Sequence, residues 1–377
     1  MNRVSIARSS LVYDWRRYLA AVLSVTFAGL LMLVQVALLQ GLFRSVSVPI
    51  DQSSAQLWIG FPNTLSVDIG RGVTQHADTL ARTHPEVQHI ESLSLTGGDL
   101  RRDDGVALSV FVNLIDTEPG AMGFSRLLTP AQRVALDEPG ALIIDVADQR
   151  KLGAKIGAIL EVNGKRMRVV DAIEGLRAVG GVNTIASFES GRRLDANVRR
   201  EEPQYFLVSL KPGANPQRVA REITDPGATP RWQVWVAHDF SLQSQSYWLF
   251  ESGVGVGAVA GALLALLVGV VITSQTLAAA ILASIKEFAA LRALGVSRAA
   301  LRAVVLQLSL WIGVVGLLLT AALAAGAVLL AEANYVAMVI TPLTALATAG
   351  MVMLITTLSG LYALRPLFHA EPASLLR

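Results

Sequence analysis

Hydrophobic and polar positions along this chain separate into four long apolar runs and one long mixed block. The first run, AAVLSVTFAGLLMLVQVALLQGLF, carries no charge, and its amide side chains are Gln35 and Gln40. From Arg44 to Gln245 the pattern changes to short alternating stretches, none of which could cross a bilayer. Three further apolar runs follow, about 253–273, 303–330 and 337–364, each long enough to span a membrane as a helix of roughly 20 residues. The expected fold is an α-helical membrane protein with four transmembrane helices and a large α+β domain between helices 1 and 2. The expected segments are an amphipathic helix over 1–17, membrane helices over 18–43, 248–275, 303–331 and 337–364, and the α+β domain over 44–247. A connection over 276–302, a short loop over 332–336 and a tail over 365–377 complete the chain.

Leu11, Trp15, Tyr18 and Val22 recur at helical spacing beside Arg3, Arg8, Arg16 and Arg17. That pattern predicts a helix lying on the membrane and feeding the first span, with its aromatics at headgroup level. Within the mixed block, SAQLWIGF and TLSVDIG read as short strands. VQHIESLSLTGG and VALSVFVNLI have strand composition, with Arg101 to Gly105 as the turn between them. ALIIDVADQRKLG reads as a strand into a short helix. AILEVNGKRMRVVDAIEG is a hairpin, because Asn163-Gly164 is the pair that a type I′ turn favours. QYFLVSLKPGANPQRVAREIT gives a strand, a turn and a helix with Val219, Ala220 and Ile223 on one side, and WQVWVAHDF is a final strand. Strands and helices intersperse without a regular βαβ repeat, which favours a mixed sheet; a lobe over about 117–200 is a candidate insertion.

Composition changes this picture little. Of the 377 residues 53% are hydrophobic and mean hydropathy is +0.50, as a chain of both membrane spans and an aqueous domain requires. A net charge of +3 gives no basic field for nucleic acid. Cysteine is absent, which removes disulfides and thiolate metal sites. The first apolar run is longer than a signal h-region and no A-x-A-like site follows it, so no cleavable signal peptide is expected. Arg3, Arg8, Arg16, Arg17, Lys286, Arg292, Arg298, Arg302, Arg365 and Arg377 all fall on one side if four spans are threaded alternately. That side is the cytoplasm, with both termini there and the large domain and Glu332 loop outside.

Familiar chemistry is missing. A phosphate-cradling loop needs G-x-x-x-x-G-K-[ST], and the one Gly-Lys pair, Gly164-Lys165, is followed by Arg166 inside the hairpin. His76, His84 and His89 match no compact metal-ligand spacing, and His369 lies in the tail. His238, Asp239 and Ser241 form a triad only as a list, since a working triad converges from distant segments. The apolar runs carry no Asp, Glu, Lys or Arg, which disfavours an ion-driven carrier. No catalytic, metal or cofactor site is expected on this chain.

Two patterns do carry mechanism. Gly253, Gly257, Gly261, Ala265 and Gly269 recur every four residues and form a small-residue face, for packing against the first span or across a homodimer axis. Beyond it, Ile281, Leu282, Ile285, Phe288, Ala289 and Leu294 gather apolar groups while Ser284, Lys286, Glu287 and Arg292 bring polarity. Gly295 suits the residue after a helix end and Ser297 the N-cap of the next helix.

KEFAALRALGVSRAALRAVVL resembles the segment after the second span in FtsX/MacB-type ABC transporter permeases, and ALRPLFHAEPASLLR is similar to the ending of the same family. The layout is similar too: one span, a large periplasmic domain, then three spans. DevC-like members, which lack the fused ATPase of MacB, fit a chain with so short a stretch before its first span. The resemblance implies a non-catalytic subunit of an export system in the bacterial inner membrane. It would transmit motion from a separate ABC ATPase subunit, which binds the ATP, to its periplasmic domain. Lys286, Glu287, Phe288, Leu291, Arg292, Leu294 and Gly295 would form the ATPase-coupling segment. A homodimer, surrounding membrane lipids, a membrane fusion protein and an outer-membrane channel are the other implied partners. Alternative readings are an FtsX-like mechanotransmitter that regulates an envelope enzyme, or a membrane-anchored receptor or scaffold.

Overall fold

A computed structural model describes residues 15–101, 107–176, 181–284, 295–333 and 338–363. It divides into two compact units, Leu42–Val256 and the pair Met1–Gly41 with Gly257–Arg377.

The helical unit is built from α1 (Trp15–Val46, whose last residues belong to the other unit), together with three later helices. Among the described residues, four helices are long and apolar enough to cross a membrane, over Tyr18–Val46, Gly255–Ala283, Ala299–Ala331 and Pro342–Tyr362.

The other unit is an α+β domain. From Ser47 the chain makes α2 (Val48–Asp51) and then β1 (Leu57–Gly60). The stretch expected as a second short strand is instead a 3-10 turn at Val67–Ile69. Its backbone is tied by side chains rather than by a strand ladder: the Tyr205 hydroxyl donates to the Val67 carbonyl at 3.0 Å, and the Val67 amide donates to Ser244 at 3.1 Å. Next come α3 (Gln75–Thr83), β2 (Val87–Arg101), β3 (Ala107–Ile115), α4 (Pro130–Leu136), β4 (Ala141–Asp145) and α5 (Asp148–Leu152). The remainder is β5 (Ile159–Val162), β6 (Lys165–Ile173), β7 (Val182–Ser187), α6 (Phe188–Leu194), β8 (Tyr205–Leu210), α7 (Pro216–Ile223), β9 (Gln233–Val236) and α8 (Ala237–Phe250).

Strand β1 shows why this unit has two layers of core. All four of its residues are buried, so both faces are covered. Leu57 and Ile59 face Val208 and Phe206 of β8 and share a cluster with α3 and α7, including Ala77, Val219 and Ile223. Trp58, pointing the other way, packs edge-on against Tyr205 at 5.4 Å and beside Phe240 of α8 at 6.0 Å. Strands β9, β1, β8 and the first half of β2 make this antiparallel sheet.

The second half of β2 belongs to a different structure. It pairs with β3, and the order β3-β7-β4-β6-β5-β2 returns to β2 itself, closing a six-stranded ring. Two of its pairings, β3–β7 and β4–β6, are parallel. Val110, Val112, Leu142, Ile144, Val162 and Val169 alternate into its interior, as the two-residue period of a strand demands. Because β2 and β3 both lie ahead of residue 117, the suggested lobe over 117–200 is not a separable insertion. The Asn163-Gly164 turn has positive φ at both residues (51° and 71°), the type I′ geometry. Asn163 also docks it on β2: its amide nitrogen donates to the Asp99 carbonyl at 3.0 Å, and its side-chain oxygen accepts from the Asp99 amide at 2.9 Å.

The last strand ends at Val236 and not at Phe240, because Ala237 already begins α8. Helix α8 stops at Phe250, Gly253 adopts φ +76°, and α9 runs over Val254–Ala283. The stretch 248–275 is therefore not one helix: it is the end of one, a glycine break and most of another. Helix α10 (Arg298–Ala333) and α11 (Pro342–Ala363) follow, so 276–302 includes the last turns of α9 and the first of α10. Helix α11 starts five residues later than the apolar run, at Pro342, where the Thr341 hydroxyl accepts from the Thr344 amide at 3.2 Å.

Candidate functional site

The sequence patterns direct attention to one end of the helical unit, where α1 begins, α9 ends and α10 starts. Tyr18, Ile281, Leu301 and Val305 are buried there in one apolar cluster. The Tyr18 and Ser284 hydroxyls lie 3.3 Å apart, linking α1 to the last residue described beyond α9. Gly295 has φ +91°, a conformation that side chains rarely adopt, and an added Cβ would meet nothing within 4 Å. Ser297 caps α10, its hydroxyl accepting from the Ala300 amide at 3.2 Å. Lys286, Glu287, Phe288, Leu291, Arg292 and Leu294 lie outside the described residues, as do most of the amphipathic stretch 1–17 and the tail.

Of the small-residue face, Gly269 approaches α1 most closely: an added Cβ would sit 3.0 Å from the Ala28 Cβ. Gly261 comes next to Gln35 at 3.5 Å, Ala265 is half-buried, and Gly257 faces open space. Gly253 stands outside α9 altogether, so it is not on that face. Tighter approaches occur elsewhere in the unit. A Cβ on Gly29 would be 2.8 Å from the Thr320 hydroxyl, one on Gly316 2.5 Å from Val25, and one on Gly313 2.6 Å from Met353. Here α1 and α11 each close on α10, as membrane helices do where small residues let backbones approach. Hydroxyls complete the fit: Ser24 with Thr276 at 2.6 Å, Ser274 with Ser359 at 2.8 Å, and Thr320 donating to the Thr26 carbonyl at 3.2 Å. Sequence reading missed this second set because glycine spacing was followed on one helix only.

The domain holds a charged cluster that the sequence did not signal. Glu91, 4% exposed, accepts from the Met122 amide at 2.7 Å and from the Gly123 amide. Arg133 is also buried and donates to the carbonyls of Asp116, Ala121 and Gly123. Asp116 is bridged by Arg200 at 2.9 Å and borders a polar cavity of about 310 Å³ shared with Thr117, Asp137 and Arg192. Burial pushes the Glu91 carboxyl up to about 7 and raises that of Asp116 as well, while it pulls the Arg133 guanidinium down.

At the base of the domain, α2 and α8 are stitched by a second polar group. Asp51 accepts from Ser47 at 2.6 Å and from Ser241 at 2.7 Å, and Gln245 donates to both hydroxyls. Ser241 thus serves Asp51, not a triad. Among the histidines, His84 bonds Glu222 at 2.8 Å and His76 meets the Trp232 ring edge-on. Among the described residues, no three His, Asp or Glu side chains converge as metal ligands would.

Comparison with known proteins adds identity to this geometry. The family model for the MacB-like periplasmic core domain matches residues 18–225, and that for the FtsX-like permease C-terminal region matches residues 259–372. No curated protein matches the sequence. Among solved structures, the chain is similar to the periplasmic region of MacB from Actinobacillus actinomycetemcomitans, with 12% identity, a TM-score of 0.37, and 51% of this chain and 94% of that one covered. The extracellular domain of the ABC-type transporter YknZ from Gram-positive bacteria is similar at 14% identity and a TM-score of 0.35, covering 48% and 98% of the two chains. A domain of a permease protein from Porphyromonas gingivalis gives 14% identity and a TM-score of 0.34, covering 48% and 90%. The two matched regions take in the α+β domain and the later helices, and the first alone covers more than half of the sequence: the chain belongs to the FtsX/MacB-type ABC transporter permeases, with a MacB-like periplasmic domain following its first membrane helix.

Proposed function

We propose that this ABC permease subunit drives export by relaying motion from a partner ATPase to its periplasmic domain. Family membership itself implies an ATPase partner and a dimer. In the fuller reading the subunit sits in the bacterial inner membrane with both termini in the cytoplasm, and ATP is bound by the partner. The ATPase pushes on Lys286 to Gly295, and a membrane fusion protein with an outer-membrane channel completes the route. The observation that carries the reading is the shared core of Tyr18, Ile281, Leu301 and Val305 beside the Gly295 turn. A push delivered at this end of the unit would reach α1, α9 and α10 together, because Tyr18, Ile281, Leu301 and Val305 pack in one cluster. The apolar runs carry no Asp, Glu, Lys or Arg, which agrees with motion being relayed instead of a solute being threaded between them.

Gly295→Val tests this. The left-handed backbone at Gly295 disfavours a β-branched residue by about 1–2 kcal/mol or more, while among the described residues an added Cβ meets nothing within 4 Å. The variant is expected to insert normally and to co-purify with the ATPase subunit, while ATP hydrolysis no longer supports export. Full export by the variant, or failure of the native chain to recover any ATPase on cross-linking, would overturn the reading; the second result would favour a receptor or scaffold.

A further inference from the structure

Both membrane helices that bracket the periplasmic domain end close to α8 along the chain or through a hydrogen bond. The spans Tyr18–Val46 and Gly255–Ala283 have 29 residues each. At 1.5 Å per residue that is about 43 Å, the thickness of a bilayer with its headgroups, about 40–45 Å. Ser47 and Val254, next to their outer ends, therefore fall near headgroup level. The Ser47 hydroxyl accepts from Gln245 of α8 at 2.9 Å. Phe250 ends α8, and from there to Gly255 the chain reaches about 18 Å at most. The last turns of α8 are thus held to the bilayer surface from two directions. Their residues suit that place: Tyr247 and Trp248 are ring types that gather at headgroup level, and Phe250 is 69% exposed.

An arch of the domain, residues 61–71, is fastened to that end of α8. Gln243 donates to the Thr64 carbonyl at 2.7 Å, Ser244 accepts from the Val67 amide at 3.1 Å, and the Trp248 indole donates to Asp68 at 3.2 Å. Thr64, Ser66 and Val67 are buried by this fastening, whereas Phe61, Leu65 and Ile69 are left 36%, 41% and 44% exposed. The Arg71 guanidinium lies over the Phe61 ring at 5.5 Å, which adds a cation to the arch. Asp68, its acid, is taken by Ser66 and Trp248. Single exposed apolar residues are ordinary on a soluble surface. Three on one arch, tied to a helix that runs into a membrane span, need a partner.

We propose that residues 61–71 and the end of α8 form a foot that seats the periplasmic domain in the headgroup region of the phospholipid bilayer. Leu65, Ile69 and Phe250 dip below the headgroups, as the apolar side of an interfacial segment does to a depth of about 5–10 Å. Arg71 meets the phosphates. The foot rests on the membrane spans and not on the export reading, so either can fail without the other.

The chain has no cysteine, so single nitroxide labels can be placed on it without background. Labels on L65C, I69C and F250C are read on the full chain in phospholipid nanodiscs by collision with oxygen, which concentrates in lipid, and with a neutral nickel chelate, which stays in water. V134C, on α4 at 67% exposure, is the aqueous reference. The ratio of oxygen to nickel collisions is expected to exceed that of V134C by about threefold or more at all three positions. A smaller excess at Leu65 or Ile69 overturns the foot, even where the F250C label lies in lipid. Low collision with both reagents, together with spectra broadened by a neighbouring label, overturns it too, because a second copy of the chain then covers the arch. All three side chains are exposed, so the substitutions leave the core intact.

Discussion

The two units of this protein solve the packing problem with opposite materials. The periplasmic domain fills its centre with large rings, Trp58, Tyr205, Trp235 and Phe240, and holds the buried charges of Glu91 and Arg133 with backbone groups. The helical unit uses almost the reverse: glycines against Val25, Thr320 and Met353, with hydroxyl pairs in place of charges. In water, removing apolar area from solvent is the driving force, so bulk is favoured. Among lipid tails that force vanishes between helices, and close fit with an occasional hydrogen bond is what remains. The same side-chain change should consequently have different signs and sizes in the two units.

The largest contrast is expected from Trp58→Ala. It removes a ring with 0% exposure from between Tyr205 and Phe240, and should cost about 3–5 kcal/mol in domain stability, read as a lowered unfolding midpoint. A loss under 1 kcal/mol would mean that the rings are not the domain's main support. Next comes Gly316→Leu, which forces a side chain into Val25 and should weaken the α1–α10 contact by about 1–3 kcal/mol. The same change at Gly326, where a Cβ meets nothing within 4 Å, should leave association unaltered. Equal responses at the two glycines, measured by cysteine cross-linking between α1 and α10, would reduce the close fit to mere composition. The smallest effect belongs to Thr320→Val, which deletes the bond to the Thr26 carbonyl and should cost about 0.6 kcal/mol. A loss of several kcal/mol there would show that hydroxyls, and not glycines, hold the helices.

What the sequence disclosed follows the same division between local and distant causes. The Asn163-Gly164 hairpin was legible because two residues suffice to set the turn. Val219, Ala220 and Ile223 were legible because one helical face carries them. Helix α8 was not: its buried positions are Phe240, Ser241 and Ser244, and serines on the inner face erase the amphipathic pattern. The 3-10 turn at Val67–Ile69 was hidden because its tethers, Tyr205 and Ser244, lie far along the chain. Glu91 and Arg133 carry no local signal, because it is the fold that encloses them. The small residues of α9 were visible as a spacing, yet spacing names no partner: of its glycines, Gly261 and Gly269 come near α1 while Gly257 faces open space.

Strand β2 has a further consequence, for how such domains can be exchanged between relatives. Its first half completes one sheet and its second half closes the ring, with Gly97 and Gly98 in the ring-closing half. Gly98 cannot gain a side chain without striking Val162 and Asn163. A recombination event that cut at the loops around 117 and 200 would leave the ring without two of its staves. Any graft that preserves it must carry β2 along, glycines included, so the two halves of the domain are inherited together.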